Sequence, residues 1–229
     1  MKIAINKAHF PVTVLGPGRR IGIWLQGCSI GCKGCISQDT WAADPGRLMA
    51  LPELLNWCRS VSAGQFDGIT LSGGEPFDQP QALAALLNGL LAWRKQAQLD
   101  FDILCYSGYP YAKLQRLHAR LLEKLDALIP EPYVAQLANQ TTDPHTGPTD
   151  STQRWRGSSN QPLILLSERA RQRYTPLLAQ EAGRAKRIQI MQDGDKIWYV
   201  GIPAKGDMAA LEAACQAQGV VFSQVSWRS

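Results

Sequence analysis

The chain has 229 residues, with 24 Lys and Arg against 19 Asp and Glu for a net charge of +5. That length buries one sizeable core, while the mild charge, with no aromatics interleaved among basic residues, argues against a nucleic-acid partner. The longest apolar run, residues 82–93, is broken by Asn88 and Gly89 and is too short to span a membrane. The first ten residues also lack the apolar core of a signal peptide, so a cytoplasmic location is expected.

Residues 21–25 are a short apolar run between Gly18 and Gly27 and predict a buried strand. Residues 51–61 carry helical periodicity. A second strand is predicted at 68–71, running into Gly73-Gly74, then an apolar-rich helix at 81–94. A third strand at 101–106 precedes Ser107-Gly108, followed by a helix at 111–124 and a short strand at 127–129. Residues 135–153 are polar and show neither period; a loop of that length is a lid, a binding loop or a disordered segment. Beyond it come a strand at 163–166, a helix at 168–182 and a hairpin of strands 187–192 and 196–201 around Asp193-Gly194. A helix at 208–218 and a short strand at 220–222 close the chain. Small basic clusters at 169–173 and 184–187 read as solvated helix faces, with docking of an acidic electron donor as the weaker reading.

Strands alternating with helices predict βαβ units on a parallel sheet, and the continuously apolar strands suit burial on both faces. The expected fold is α/β: a partial, open (βα)6 barrel with a C-terminal β-hairpin and helix extension. Residues 1–229 are read as a single domain, with a core at about 14–166 and the extension at about 167–229.

Six cysteines are present, and three of them, Cys28, Cys32 and Cys35, fall within eight residues. A disulfide framework would spread its cysteines over a smaller, secreted chain. The isolated Cys58, Cys105 and Cys215 are expected to be buried as small hydrophobes. On a helix the triplet would share one face, but Gly27, Gly31 and Gly34 argue for a loop that wraps its thiolates around a metal centre. Three thiolates on a cubane leave one iron open, unlike the four-cysteine ferredoxin run. Zinc is the alternative, although structural zinc prefers a complete set of four ligands and no fourth is evident nearby.

The second motif is Ser72-Gly73-Gly74-Glu75-Pro76, directly after the second strand. Paired glycines let a ligand approach the backbone, Glu75 can hold an ammonium, and Pro76 fixes the exit. A plain tight turn into a helix is the alternative. In parallel topology the loops after the first three strands all emerge at the strands' C-terminal ends, where barrel enzymes gather their chemistry. Ser107, after strand three, reads as a ribose or carboxylate contact or as a helix cap.

The CxxxCxxC triplet followed by Gly-Gly-Glu-Pro resembles the radical S-adenosylmethionine (SAM) superfamily. That resemblance implies a [4Fe–4S] cluster on Cys28, Cys32 and Cys35, with SAM on its unique iron and Gly73, Gly74 and Glu75 at the methionyl end. It further implies reductive cleavage to a 5′-deoxyadenosyl radical that abstracts hydrogen. Gly16-Pro17-Gly18-Arg19, Gln26-Gly27-Cys28, the run from Tyr106 to Tyr111 and Trp155-Arg156-Gly157-Ser158-Ser159-Asn160-Gln161 resemble the activating enzymes of anaerobic ribonucleotide reductases. Arg156 and Asn160 could therefore bind SAM or substrate, or could tie down the last strands. The partners implied are a flavodoxin- or ferredoxin-type electron donor and a glycyl-radical enzyme. One departure stands out: where these activases carry Asp-Gly-Pro-Phe/Tyr, this chain has Pro130-Glu131-Pro132-Tyr133. Three functions follow in order: glycyl-radical activase, radical SAM enzyme for a small molecule or peptide, and non-catalytic Fe–S or zinc protein. No acid or base catalyst is assigned. Trp41, after the cysteine loop, is expected to shield the cluster.

Overall fold

The computed structural model describes residues 1–138, 154–179, 188–194, 196–204, 206–222 and 225. The polar segment from 139 to 153, the expected helix end at 180–182 and the basic cluster at 184–187 lie outside the described residues.

The described chain is mixed α/β. In order it runs β1 (Lys2–Val12), β2 (Arg20–Leu25), β3 (Leu48–Ala50), α1 (Leu51–Ser62), β4 (Gly68–Gly73), α2 (Pro80–Gln96) and β5 (Asp102–Tyr106). Then follow α3 (Tyr111–Leu122), β6 (Ala127–Ile129), β7 (Ile164–Leu165), α4 (Glu168–Leu178), β8 (Ile188–Asp193), β9 (Lys196–Gly201) and α5 (Asp207–Ala217). One seven-stranded sheet has the order β3-β1-β2-β4-β5-β6-β7, and β8 and β9 pair separately as the expected hairpin. β2, β4, β5 and β6 are parallel, and their registers bring Leu25 level with Gly73 and Tyr106 level with Ile129. The three loops after β2, β4 and β5 therefore open side by side at one end of the sheet.

The parallel order ends with those four strands, where six βα units were expected. β7 runs antiparallel to β6; it has only two residues, and among the described residues no α-helix lies between them to carry a parallel crossover, only a single 3-10 turn at Ala135–Leu137. At the other edge, β1 pairs antiparallel with both β2 and β3 and was not foreseen. Its polar and apolar residues mix, with Ile3 and Ile5 buried beside exposed Lys2 and half-buried Asn6, so it does not read as a buried strand. Residues 220–222 form no strand: Gly219 takes a left-handed φ, and the Val220 amide closes the end of α5 by donating to the Cys215 carbonyl at 2.9 Å.

The core combines β2, β4 and β5 with α1, α2 and α3 through residues such as Ile23, Leu71, Leu86 and Leu114. Cys58 and Cys105 are buried in it as expected, whereas Cys215 on α5 is only half-buried. At the N-terminal end of the parallel strands lies a fully buried ion pair. The Arg20 guanidinium grips Asp102 through Nη1 (3.0 Å) and Nη2 (2.7 Å) and Thr70 through Nε (2.7 Å), while the Tyr174 hydroxyl of α4 donates to Asp102 at 2.8 Å. Arg169 and Arg173 pair with aspartates and Arg171 with Glu168, so the 169–173 cluster is a paired helix face. Among the described residues no helix is long and apolar enough to cross a membrane.

Candidate active site at the strand ends

The loop after β2 carries the three cysteines and contains no α-helix; Gly31 and Gly34 both adopt left-handed φ values, which rules out the shared helical face. Its base is closed by backbone bonds, Gly27 to the Thr40 carbonyl at 2.8 Å and Cys28 to the Trp41 carbonyl at 3.0 Å. Asp78, just past the Gly-Gly-Glu-Pro turn, clasps the loop from outside. Its carboxylate accepts from the Ser29 amide at 2.7 Å, from the Ser29 hydroxyl at 3.0 Å and from the Tyr109 hydroxyl at 2.6 Å. One side chain thus ties together the loops after β2, β4 and β5.

Burial pushes the Cys32 and Cys35 thiols up, and thiolate repulsion adds to it: Cys28 and Cys35 act on Cys32, and Cys28 acts on Cys35. The Trp41 indole opposes the rise at Cys35 by donating a hydrogen bond to it, and a backbone bond at Tyr133 does the same for Cys32. A set of mutually repelling sulfurs in a loop free of helical constraint fits an iron–sulfur cluster, whose positive irons reverse that electrostatic penalty. Among the described residues no three His, Cys, Asp or Glu side chains are gathered tightly enough to hold a single metal ion.

The two glycines of the second motif are required by packing. A Cβ on Gly73, at φ +94°, would stand 2.6 Å from the Leu25 nitrogen, and one on Gly74 would stand 2.1 Å from the Gly27 carbonyl oxygen. No side chain fits there, because the turn lies flat against the start of the cysteine loop. Two bonds hold it: the Gly74 amide donates to Leu25 and the Glu75 amide to Gly27, each at 2.8 Å.

Glu75 is 1 % exposed and its carboxylate is already engaged. Oε1 accepts from the Phe77 amide (3.0 Å) and the Ser107 hydroxyl (2.8 Å), and Oε2 accepts from the Gly108 amide (2.7 Å). Burial nonetheless raises its pKa to about 7, because all three donors are neutral. Ser107 also accepts from the Tyr109 amide at 3.1 Å, so its hydroxyl joins the β4 and β5 loops.

A cavity of about 440 Å³ opens among these loops. Of the nine residues singled out in the sequence, Cys35 and Gly73 line it; Cys28, Cys32, Gly74, Glu75, Ser107, Arg156 and Asn160 do not. Tyr106, Tyr133 and Gln161, which the sequence marks only as members of longer motifs, line it as well, and so does Tyr199, which no motif marks. Arg156 donates from Nη1 to the Gln161 carbonyl at 3.0 Å, and Asn160 donates from Nδ2 to the Pro132 carbonyl at 2.9 Å. Asn160 Oδ1 is buried with no hydrogen-bond partner among the described residues. Gln161 folds its segment back on itself, accepting from the Gly157 and Ser158 amides and donating to the Glu131 carbonyl at 2.9 Å. In the divergent Pro130–Tyr133 segment, Glu131 adopts a left-handed φ of +81°.

The family model for the 4Fe–4S single cluster domain matches residues 14–164. A protein of Enterobacteria phage T4, named anaerobic ribonucleoside-triphosphate reductase-activating protein, is 31% identical over 150 residues, covering 66% of this chain and 86% of that protein. A protein of the same name from Vibrio cholerae is 30% identical over 156 residues, covering 67% of this chain and 92% of its own length. Among solved structures, QueE from Escherichia coli aligns with a TM-score of 0.40 and 16% identity, over 59% of this chain and 74% of that one.

Proposed function

This chain belongs to the 4Fe–4S single cluster domain family and is an enzyme of the radical SAM activase class, and on that premise we propose that it plants a glycyl radical on an anaerobic ribonucleotide reductase. The observation that carries this reading is the clasp of the cysteine loop by the Gly-Gly-Glu-Pro turn and Asp78, beside a cavity that holds both Cys35 and Gly73. Cys28, Cys32 and Cys35 would hold three irons of the cluster, and the Ser72–Gly73 backbone would meet the methionyl end of SAM. When bound, the cluster supplies the electron that cleaves SAM to methionine and a 5′-deoxyadenosyl radical.

The protein's own residues bind, orient and exclude water. Glu75 and Ser107 act beneath the site: they join the β4 and β5 loops and leave ligand contact to the backbone above them. The cavity volume falls in the range that encloses one drug-sized ligand. The rest of the reading is an open barrel of the family type, an electron donor of flavodoxin or ferredoxin type, and a cytoplasmic setting that keeps thiols reduced.

The test is anaerobic reconstitution with iron and sulfide, followed by reductant and SAM. The expected results are about four irons per chain, 5′-deoxyadenosine in the products, and loss of both in Cys28→Ala, Cys32→Ala and Cys35→Ala. Full iron loading without 5′-deoxyadenosine would contradict the reading.

A further inference from the structure

The family model ends at residue 164, and about two-thirds of this chain suffices to cover most of each relative. The C-terminal extension is therefore additional to the matched core, yet it is built into the site. β8 is anchored to β1: Gln189 donates from Nε2 to the Pro11 carbonyl at 2.8 Å and accepts from the Thr13 amide at 3.1 Å. On β9, Trp198 sets its ring edge-on to His9 and Trp24, with centroids 4.8 and 6.3 Å apart. Val200 is 3 % exposed and packs with Val12, Val14, Leu15 and Trp24. These contacts place Tyr199, Val200, Ile202, Ala204 and Met208 in the cavity wall, facing Cys35 and Gly73. The Tyr199 hydroxyl donates to the Ile36 carbonyl at 3.1 Å, one residue past Cys35.

We propose that the C-terminal hairpin, beyond the matched core, is a ceiling of the SAM cavity and that Tyr199 is its positioning residue, fixing the Cys35 end of the cluster loop through Ile36. The identity of the ligand rests on the reading under Proposed function; the link from Tyr199 to Cys35 does not. Two measurements separate them. In the metal-free chain under reducing conditions, Tyr199→Phe keeps the ring but loses the hydroxyl bond. Iodoacetamide should then label Cys35 several-fold faster relative to Cys28 than in the parent, as read by peptide mass spectrometry. An unchanged ratio overturns the role of Tyr199, whatever reaction the chain performs.

In the reconstituted holoprotein, Ile202→Ala and Met208→Ala trim apolar side chains from the cavity wall and leave the cysteine-loop sequence intact. Equilibrium dialysis should show SAM bound roughly 3- to 10-fold more weakly, the scale of one or two lost apolar contacts, at unchanged iron content. Parent-like affinity in both variants overturns the ceiling. If the iron-loaded parent itself binds no SAM, the functional reading fails and the ceiling with it, while the alkylation ratio still decides the role of Tyr199.

Discussion

Asp102 and Glu75 are both buried carboxylates beside the same parallel strands, at opposite ends and in opposite company. Asp102 opens β5 and faces Arg20, Arg173 and the Tyr174 hydroxyl. Burial alone would raise it, but the guanidinium of Arg20 and the hydroxyl outweigh burial and hold its carboxyl below the ordinary range. Glu75 follows β4 and meets only neutral donors, so there burial wins and the pKa rises to about 7. The end with full charge compensation anchors the sheet and α4. The end without it carries the cavity, and there a carboxylate serves as a joint between loops at some cost to stability.

The largest expected effect comes from breaking the compensated end. Arg20→Met leaves Asp102 buried without its main partner and should cost about 3–5 kcal/mol, read as a lower urea midpoint. A loss within the error of the midpoint would mean the pair does not anchor the sheet.

The next test sets the two carboxylates against each other by pH. The folded pKa of Asp102 is depressed, so its stabilisation is present above the ordinary Asp value of about 3.9 and is lost as pH falls through the lower folded value. The folded pKa of Glu75 is raised, so the folded state holds the extra proton. Stability should therefore fall as pH rises from the ordinary Glu value of 4.5 toward about 7. Glu75→Gln should flatten that falling limb and leave the acid limb alone; Asp102→Asn should do the reverse. Identical curves for Glu75→Gln and the parent would remove the contrast.

Ser107→Ala strips one donor from Glu75 and one acceptor from the Tyr109 amide. It should cost about 1 kcal/mol and move the falling limb to higher pH, because Glu75 loses a bond that holds it down. The smallest effect is expected at Glu131. Glycine there relieves a left-handed conformation worth about 1–2 kcal/mol but removes the carboxylate that accepts from the Tyr111 amide at 3.0 Å. Glu131→Gly should therefore leave the midpoint nearly unchanged, and a large loss would mean the carboxylate matters more than the backbone.

What could be read from the sequence was local. The cysteine spacing, the glycines that forbid a helix, the Gly-Gly-Glu-Pro turn and the Asp193-Gly194 hairpin all announce themselves within a few residues. The apolar parallel strands did so as well, because burial on both faces leaves an unbroken run. The reverse direction of β7 was hidden, since strand direction depends on the path of a long connection. The clasp and the ceiling were hidden too. Asp78 reaches Ser29 across 49 residues and Tyr199 reaches Ile36 across 163, and no local pattern marks such pairs. Glu75 stands out in the sequence by its motif, while the three donors on its carboxylate come from residues 2, 32 and 33 positions away and only the fold brings them together.

The central claim is that the loops gathered at the uncompensated strand ends activate a glycyl-radical partner. The direct measurement is electron paramagnetic resonance of the reconstituted chain mixed with an anaerobic ribonucleotide reductase from the same genome, SAM and a reductant, under strict exclusion of oxygen. The account predicts a glycyl radical signal on the reductase that is absent when Cys28→Ala replaces the parent. Production of 5′-deoxyadenosine with no radical on the reductase would contradict it.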